Sequence, residues 1–256
     1  MWRSPVRKTW LSYVNLSDPY ERKARFLPAM VSVFPLLPLA AAFGAPFLEW
    51  VKLVGLGVGL GAIVAVAVSH VASAFGNRLQ ERLWRDWPHD SPTNRRLHPD
   101  DKTVSSQQRQ RWYRAIKEVV RLDIQSAVKG GNAAELKAVI NDAVQALRNR
   151  LWQAPVAERI RLHNVDYGFA RNLAGLWPVW GFFALSSLVG CWTAYFLQGR
   201  PLIWAVVSTF IVLGAVCLAV VLPGYVRKKA DYYAESFFEA VVMTTEAAAR
   251  PTNPGA

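Results

Sequence analysis

The sequence has few residues of the kinds that carry enzyme chemistry. It contains two cysteines, Cys191 and Cys217, and both lie inside long apolar runs, so the pair indicates neither a disulfide framework nor a metal site. The motifs H-E-x-x-H, G-x-S-x-G, C-x-x-C and the P-loop are all missing. Two histidines, His89 and His98, stand beside aspartates in a proline-rich stretch, without a third ligand or a flanked nucleophile. We therefore expect no catalytic residue, no metal and no cofactor, and predict that the protein is not an enzyme.

Charge is missing from four long stretches of the chain. These uncharged runs cover residues 26–48, 53–76, 173–198 and 201–226. At 1.5 Å per residue, a helix of such a length crosses the roughly 30 Å hydrocarbon core of a bilayer. The sequence therefore predicts an all-α membrane protein with four transmembrane helices, arranged as two pairs around a helical cytoplasmic insert.

The second run permits another interpretation. Gly57, Gly59 and Ala62 have the G-x-G-x-x-A spacing of a dinucleotide-binding turn. A helix that follows such a turn in a soluble domain needs a polar face, and residues 63–68 provide none. The run is therefore interpreted as a membrane helix.

Basic residues are concentrated between the apolar runs. Acidic residues are scarce, which gives the chain a formal charge of +12. Of the 30 lysines and arginines, six precede Phe26, eighteen lie between Asn77 and Asn172, and four follow Val226. Because basic segments stay on the cytoplasmic side of a membrane, both termini and the middle segment are predicted to be cytoplasmic.

The predicted organisation has five segments. They are a basic cytoplasmic N-terminal segment at residues 1–25, transmembrane helices 1 and 2 at 26–76, a basic helical cytoplasmic domain at 77–172, transmembrane helices 3 and 4 at 173–226, and a C-terminal cytoplasmic helix with its tail at 227–256.

Capping residues divide the cytoplasmic domain. The proline-rich polar stretch 86–103 predicts a solvated loop. Ser105 opens a capping box, and the helix after it is expected to run to Lys129. Asn132 begins the next helix, which carries an apolar stripe at helical spacing. The stripe consists of Leu136, Val139, Ile140, Ala143, Val144, Leu147 and Leu151.

The helix after Ser105 has a basic face that could bind a polyanion. Its cations lie within about 120° of arc on an ideal helix, and guanidinium groups bind phosphates in pairs of hydrogen bonds. The candidate ligand-binding residues are Arg111, Arg114, Lys117 and Arg121 on this helix, with Arg148, Arg150, Arg159, Arg161 and Arg171 on the adjoining helices. The candidate stacking residues are Tyr113, Trp152 and Tyr167. Three alternatives stay open: a nucleotide or nucleic acid, an anionic lipid surface, and a basic face without a specific ligand.

The second apolar run contains the candidate pore residues. His70 is the titratable group nearest to membrane depth, and Ser69 and Ser73 flank it. Gly57 and Gly61 form a small-x-x-x-small contact of the kind that brings membrane helices close together. The functional interpretation is that this helix presents His70 and the serines to a pore. The alternative is a neutral His70 that is hydrogen-bonded to a neighbouring helix.

Two short segments carry a resemblance to a known family. They are "DPYERKAR" at residues 18–25 and "YGFARN" at residues 167–172. With these segments and its four-span plan, the sequence resembles the Hailong-type membrane effector of bacterial anti-phage defence operons. The resemblance implies a homo-oligomeric ion channel of the bacterial inner membrane, and a nucleotidyltransferase encoded beside it. It also implies that the short single-stranded DNA made by that enzyme binds the cytoplasmic part and holds the pore shut until infection.

The function predicted from all these features is that of an oligomeric, ligand-gated membrane effector. Its basic cytoplasmic helices would sense a nucleotide or single-stranded DNA, and opening would disrupt the membrane in abortive infection. The alternative is a non-conducting membrane anchor or scaffold that recruits a cytoplasmic partner. Both functions place the chain in contact with membrane lipid.

Overall fold

Helices dominate the described part of the chain. The computed structural model describes residue 18 and residues 20–44, 58–152, 154 and 157–249. Within these ranges there is no β-strand, so the predicted all-α class is confirmed.

Ten α-helices lie in the described ranges. They are α1 (Leu27–Val31), α2 (Leu37–Phe43), α3 (Val58–Leu83), α4 (Pro92–Leu97), α5 (Ser106–Val120), α6 (Ile124–Gly130), α7 (Ala133–Leu151), α8 (Ala157–Gly175), α9 (Trp177–Gln198) and α10 (Leu202–Ala249). A π-helical segment, Glu21–Phe26, precedes α1, and a 3₁₀ turn, Phe34–Leu36, joins α1 to α2.

Three helical segments are long and apolar enough to cross a membrane. They are Glu21–Phe43, Trp177–Gln198 and Leu202–Glu246. These segments support a membrane protein, and they overlap the first, third and fourth predicted spans, although the last extends 20 residues beyond the predicted end at residue 226. Of the second predicted span, residues 53–57 lie outside the described residues, and α3 begins at Val58. The described residues therefore support three spans, and a fourth is a proposal.

The chain divides into two compact units. Unit 1 lies within Met1–Leu79 and Gly168–Gly224, and unit 2 lies within Gln80–Tyr167 and Tyr225–Ala256. Three helices, α3, α8 and α10, contribute residues to both units.

Unit 1 is packed through small residues. A Cβ atom added to Gly175 on α8 would lie 2.6 Å from the backbone nitrogen of Gly76 on α3. No side chain fits in that space, so glycine at residue 175 allows the two backbones to touch. Elsewhere in the unit, Ala42, Cys191 and Ala205 form a buried cluster of small side chains. Close packing of this kind is typical of helices that associate in lipid, where the hydrophobic effect gives little help.

The described residues of unit 2 form a hydrophobic core. Helices α4, α5, α6, α7, α8 and α10 all supply buried side chains to it. The predicted apolar stripe of α7 is confirmed, since its residues are buried except for the partly buried Val139. Trp112 of α5 stacks on Phe238 of α10 with ring centroids 4.2 Å apart. The second half of α10 is therefore an integral part of this core.

The predicted helix starts at two capping residues are also confirmed. Ser105 accepts a hydrogen bond from the backbone nitrogen of Gln108 at the start of α5. Asn132 accepts hydrogen bonds from two backbone nitrogens at the start of α7. Each cap satisfies donors that the first helical turn leaves without a partner.

The predicted end of α5 is wrong. The helix ends at Val120 and does not continue to Lys129, because Arg121 follows with a φ of 62° in the left-handed region. Asp123 then accepts a hydrogen bond from the backbone nitrogen of Ser126 and begins α6. A side chain that caps a new helix competes with continuation of the old one, and here the cap prevails.

The prediction of a solvated loop at residues 86–103 is also wrong. This stretch contains α4, which is capped by the hydroxyl of Ser91 and begins with Pro92. Leu97, at the end of α4, is fully buried in the core of unit 2. Proline suits the first position of a helix, so the proline that suggested a loop marks a helix start instead.

Candidate functional site

Three of the candidate ligand-binding cations already have carboxylate partners. An Nη2 atom of Arg111 lies 2.7 Å from Oε1 of Glu246. A guanidinium nitrogen of Arg159 lies 2.7 Å from Oε2 of Glu239. The ammonium of Lys117 lies 2.5 Å from Oδ2 of Asp123, and this hydrogen bond lowers the pKa of the Asp123 carboxyl. A ligand at these cations would have to displace a carboxylate.

Other candidate cations on unit 2 have no ion pair with a described residue. Arg114, Arg121 and Arg150 are exposed, and Arg148 is half-buried. Arg161 donates a hydrogen bond to the carbonyl of Trp152 at 2.8 Å. Arg114, Arg121 and Arg150 therefore offer exposed guanidinium groups to an anion without prior displacement of a carboxylate.

One predicted ligand-binding residue lies in the other unit. Arg171 belongs to unit 1, where its Nε donates a hydrogen bond to Oδ1 of Asn172 at 3.2 Å. The remaining eight candidate cations belong to unit 2.

The three candidate stacking rings differ in exposure. Tyr113 is buried, its hydroxyl donates a hydrogen bond to the carbonyl of Leu97, and burial raises the pKa of this phenol to about 12. Tyr167 is also buried, and its hydroxyl donates to Oε1 of Gln80 at 2.8 Å. Trp152 is the exposed ring of the three, and the guanidinium of Arg161 lies 5.5 Å from its centroid. Both tyrosines belong to the packing of unit 2, so only Trp152 offers an accessible ring.

The candidate pore residues of α3 point in different directions. Ser69 is almost fully buried, and the hydroxyls of Ser69 and Ser73 have no hydrogen-bond partner among the described residues. His70 is exposed. Gly61 lies within α3, and Gly57 lies outside the described residues. The structure thus brings the two serines together on the buried face and places His70 on another face.

A row of carboxylates on α10 was missed in the sequence. Asp231, Glu235, Glu239 and Glu246, which we call the carboxylate row, recur at intervals of one or two helical turns and therefore share a face. Four arginines contact this row from three other helices. They are Arg95 and Arg96 of α4, Arg111 of α5 and Arg159 of α8. The spacing of the acids was visible in the sequence, but their arginine partners were not.

Two surface grooves meet on α10 beside this row. One, of about 390 Å³, is lined on its α5 side by Gln108, Arg111 and Trp112. The other, also of about 390 Å³, is lined on its α8 side by Arg159 and Leu162 among others. Glu239 and Met243 line both grooves. We call this combined surface the α10 groove.

Residues 96–104, within the stretch predicted as a loop, are held in place by one buried arginine. Arg109 is buried, and its guanidinium donates hydrogen bonds to the carbonyls of Arg96 at 3.2 Å, Pro99 at 2.9 Å, Val104 at 3.1 Å and Asp101. One side chain thereby fixes the path of residues 96–104. No motif in the sequence distinguishes Arg109 from the exposed arginines that follow it.

A separate polar pocket of about 450 Å³ lies beside this stretch, and its lining contains as many aspartates as lysines and arginines together. Its lining includes His89, His98, Arg95, Lys102, Lys137, Asp90, Asp100 and Asp101. Lys137 lies 2.6 Å from Asp86, and their hydrogen bond lowers the pKa of the carboxyl and raises that of the ammonium. Arg95 lies 3.2 Å from Asp101. Among the described residues, no group of three or more side chains is placed to hold a metal ion.

The two segments that carry the family resemblance pack against each other in unit 1. A Cβ atom added to Gly168 would lie 2.9 Å from Cβ of Ala24. Asn172 is fully buried, and its Nδ2 donates a hydrogen bond of 2.6 Å to the carbonyl of Ala24. Within the first segment, Arg25 forms an ion pair of 2.6 Å with Glu21. Both segments therefore have a structural role in bringing the π-helical segment against α8.

No family model, curated protein or solved structure matches this chain. The Hailong-type resemblance stays an expectation based on two short segments and the arrangement of apolar runs. The function of the protein is therefore inferred from the residues described above.

Proposed function

We propose that the protein is an oligomeric membrane effector that conducts ions and responds to a phosphate-rich ligand bound by unit 2. The observation that carries this proposal is the composition of α10. Its N-terminal part belongs to an apolar segment able to cross a bilayer, and its C-terminal part carries the carboxylates that pair with arginines. An anion that competes for those arginines therefore acts on a helix that also enters the membrane.

The membrane arrangement belongs to the proposal. Helix α3 completes a set of four spans, and the basic segments place both termini and unit 2 in the cytoplasm. Four helices of one chain enclose little space, so several copies surround the conducting path. The bacterial inner membrane, a role in anti-phage defence by abortive infection, and an adjacent nucleotidyltransferase are what the family resemblance suggests.

The ligand class follows from the exposed cations of unit 2. Arg114, Arg121 and Arg150 are exposed without carboxylate partners among the described residues. Arginine binds phosphate through two parallel hydrogen bonds, and several arginines favour a linear polyanion over a single anion. A short single-stranded DNA or a nucleotide has this chemistry, and exposed Trp152 adds a ring for base stacking.

Current recordings test this function directly. Full-length protein in planar lipid bilayers should carry an ionic current that changes when a short single-stranded DNA is added on the side of unit 2. Replacement of Arg114→Glu together with Arg121→Glu should raise the DNA concentration needed for half of the change by about tenfold or more. Two lost phosphate contacts of about 0.7–1.4 kcal/mol each account for that factor.

The matched control is Lys102→Glu together with Lys129→Glu. This pair makes the same change in net charge at exposed residues away from the basic face of α5. An equal rise in the required DNA concentration in both double variants would show that DNA binding depends only on the overall charge of the protein. Absence of current under all conditions would overturn the conducting function.

A non-conducting scaffold is the second candidate function. It is favoured by the exposed apolar side chains of Leu162 and Met243 in the α10 groove, since such side chains commonly mark contact sites for other proteins. A scaffold passes no current in planar bilayers. The same recordings therefore separate the two functions.

A further inference from the structure

The two ends of the carboxylate row are held differently. At one end, Arg96 has a side chain that is only 11 % exposed, and its Nη2 lies 3.1 Å from Glu235 and 3.5 Å from Asp231. At the other end, Arg159 and Arg111 bind Glu239 and Glu246 through side chains that are all half or more exposed. The row therefore has a fixed end and an open end.

Exposure sets how easily each ion pair can be exchanged. An exposed ion pair is screened by water and contributes little to stability, so another anion easily displaces its carboxylate. Separating Arg96 from its acids would leave a largely buried cation without a partner, which is strongly unfavourable. At the open end, exchange therefore leaves no buried cation without a partner.

The open end holds two cations that could bind two phosphates of one linear polyanion. Glu239 and Glu246 are seven residues apart, which places them two turns and about 10.5 Å apart on one face of α10. Their partners, Arg159 and Arg111, come from α8 and α5 and line the two halves of the α10 groove. Two guanidinium groups therefore face one groove, and each is satisfied by a carboxylate of α10.

We propose that Glu239 and Glu246 occupy the positions that phosphates of the ligand take on Arg159 and Arg111. Binding of a short single-stranded nucleic acid exchanges two carboxylates for two phosphates along the α10 groove. The C-terminal part of α10 then keeps its contact with Arg96 and loses its ion pairs at the open end. This inference rests on the proposed function, because it assigns a position to the same polyanion and explains how its binding is communicated to α10.

Removal of the competing carboxylates should strengthen binding. The test measures the affinity of full-length protein in zwitterionic detergent for a short fluorescein-labelled single-stranded DNA, by fluorescence anisotropy. Replacement of Glu239→Gln with Glu246→Gln should lower the dissociation constant about threefold to tenfold, since two exposed ion pairs no longer compete. The control, Glu135→Gln with Asp142→Asn, makes the same change in net charge on α7, where neither carboxylate has an ion pair with a described residue.

A double-mutant cycle makes the exchange specific. With Arg111→Gln and Arg159→Gln in place, the two glutamate replacements should have no further effect on affinity, because the cations for which they compete are gone. A similar gain with and without the arginines would overturn the exchange, as would an equal gain in the α7 control.

The results also distinguish this inference from the function on which it rests. DNA binding that is weakened by Arg114→Glu but unchanged by the glutamate replacements overturns the exchange and leaves the proposed function in place. Failure of the wild-type protein to bind the DNA at any salt concentration overturns both.

Discussion

Arginines two positions apart on α5 have opposite roles. Arg109 is buried and binds four backbone carbonyls, whereas Arg111 is exposed and binds one carboxylate of α10. Carbonyl oxygens in a buried turn need donors, and a guanidinium with five N–H groups supplies several of them from one side chain. The charge of Arg109 is thus used to shape the protein, and only exposed arginines such as Arg111 are available to a ligand.

Replacement of Arg109→Lys should destabilise unit 2. An ammonium has three donors at one point and cannot reach four carbonyls, so buried acceptors lose their partners. The free energy of unfolding should fall by about 2–4 kcal/mol, and the path of residues 96–104 should loosen. Chemical denaturation of the full-length protein in detergent, followed by tryptophan fluorescence, measures the loss.

Arg114→Lys is the control for this change. Arg114 lies on the same helix, is exposed and has no ion pair with a described residue, so its replacement should change the free energy of unfolding by less than about 0.5 kcal/mol. Equal effects of both replacements would contradict a structural role for Arg109.

At the scale of the element, α3 and α8 meet at a glycine contact. A Cβ atom on Gly175 would lie 2.6 Å from backbone atoms of Phe75 and Gly76, and backbone cannot rotate away as a side chain does. In lipid there is no hydrophobic driving force between helices, so their association depends on close packing. The two helices therefore depend on glycine for their distance.

Gly175→Ala should separate α3 from α8 and lower the stability of unit 1. Overpacking by one methyl group typically costs about 1–3 kcal/mol, and the midpoint of thermal unfolding in detergent should fall accordingly. Gly181→Ala on α9 is the matched control, because its Cβ would meet no atom within 4 Å. Alanine favours helix over glycine by up to about 1 kcal/mol, so the control should be neutral or stabilising. Two equal decreases would contradict a specific contact at Gly175.

Helix α10 contains both an apolar stretch and the carboxylate row. It has 48 residues, more than twice the roughly 20 that a transmembrane helix needs. Pro223 lies within it and removes one backbone donor, yet the helix continues on both sides. A single helix of this length accommodates both an apolar span and the carboxylate row.

At the scale of the whole molecule, topology decides whether unit 2 can meet a cytoplasmic ligand. Single cysteines, introduced after both native cysteines are replaced by alanine, test this in intact cells. Arg200→Cys, in the connection between α9 and α10, should react with a membrane-impermeant maleimide from outside, if the proposed orientation with unit 2 in the cytoplasm is correct. Arg150→Cys on α7 should react only after the membrane is permeabilised.

These two replacements serve as controls for each other, since both start from an exposed arginine. Labelling of Arg150→Cys in intact cells would contradict the proposed orientation. Release of the protein from membranes without detergent would contradict the conclusion that its apolar helices cross the membrane.

The sequence by itself determined the helical class, the apolar segments and several helix boundaries. Caps at Ser105 and Asn132 and the stripe of α7 depend on residues a few positions apart, so local spacing is sufficient to predict them. Span length depends only on uncharged runs and bilayer thickness.

Tertiary structure decided what each cation and ring is free to do. Tyr113 was predicted as a stacking ring because its type and position suit that role, yet contacts with α4 and the core bury it. Arg111 and Glu246 are 135 residues apart, and no local pattern indicates that they pair. The sequence predicts a loop where α4 lies, because the burial of this helix depends on helices that are distant in the chain. Long-range packing, with the burial and charge neutralisation that it brings, is therefore what converts a basic sequence into a particular binding surface.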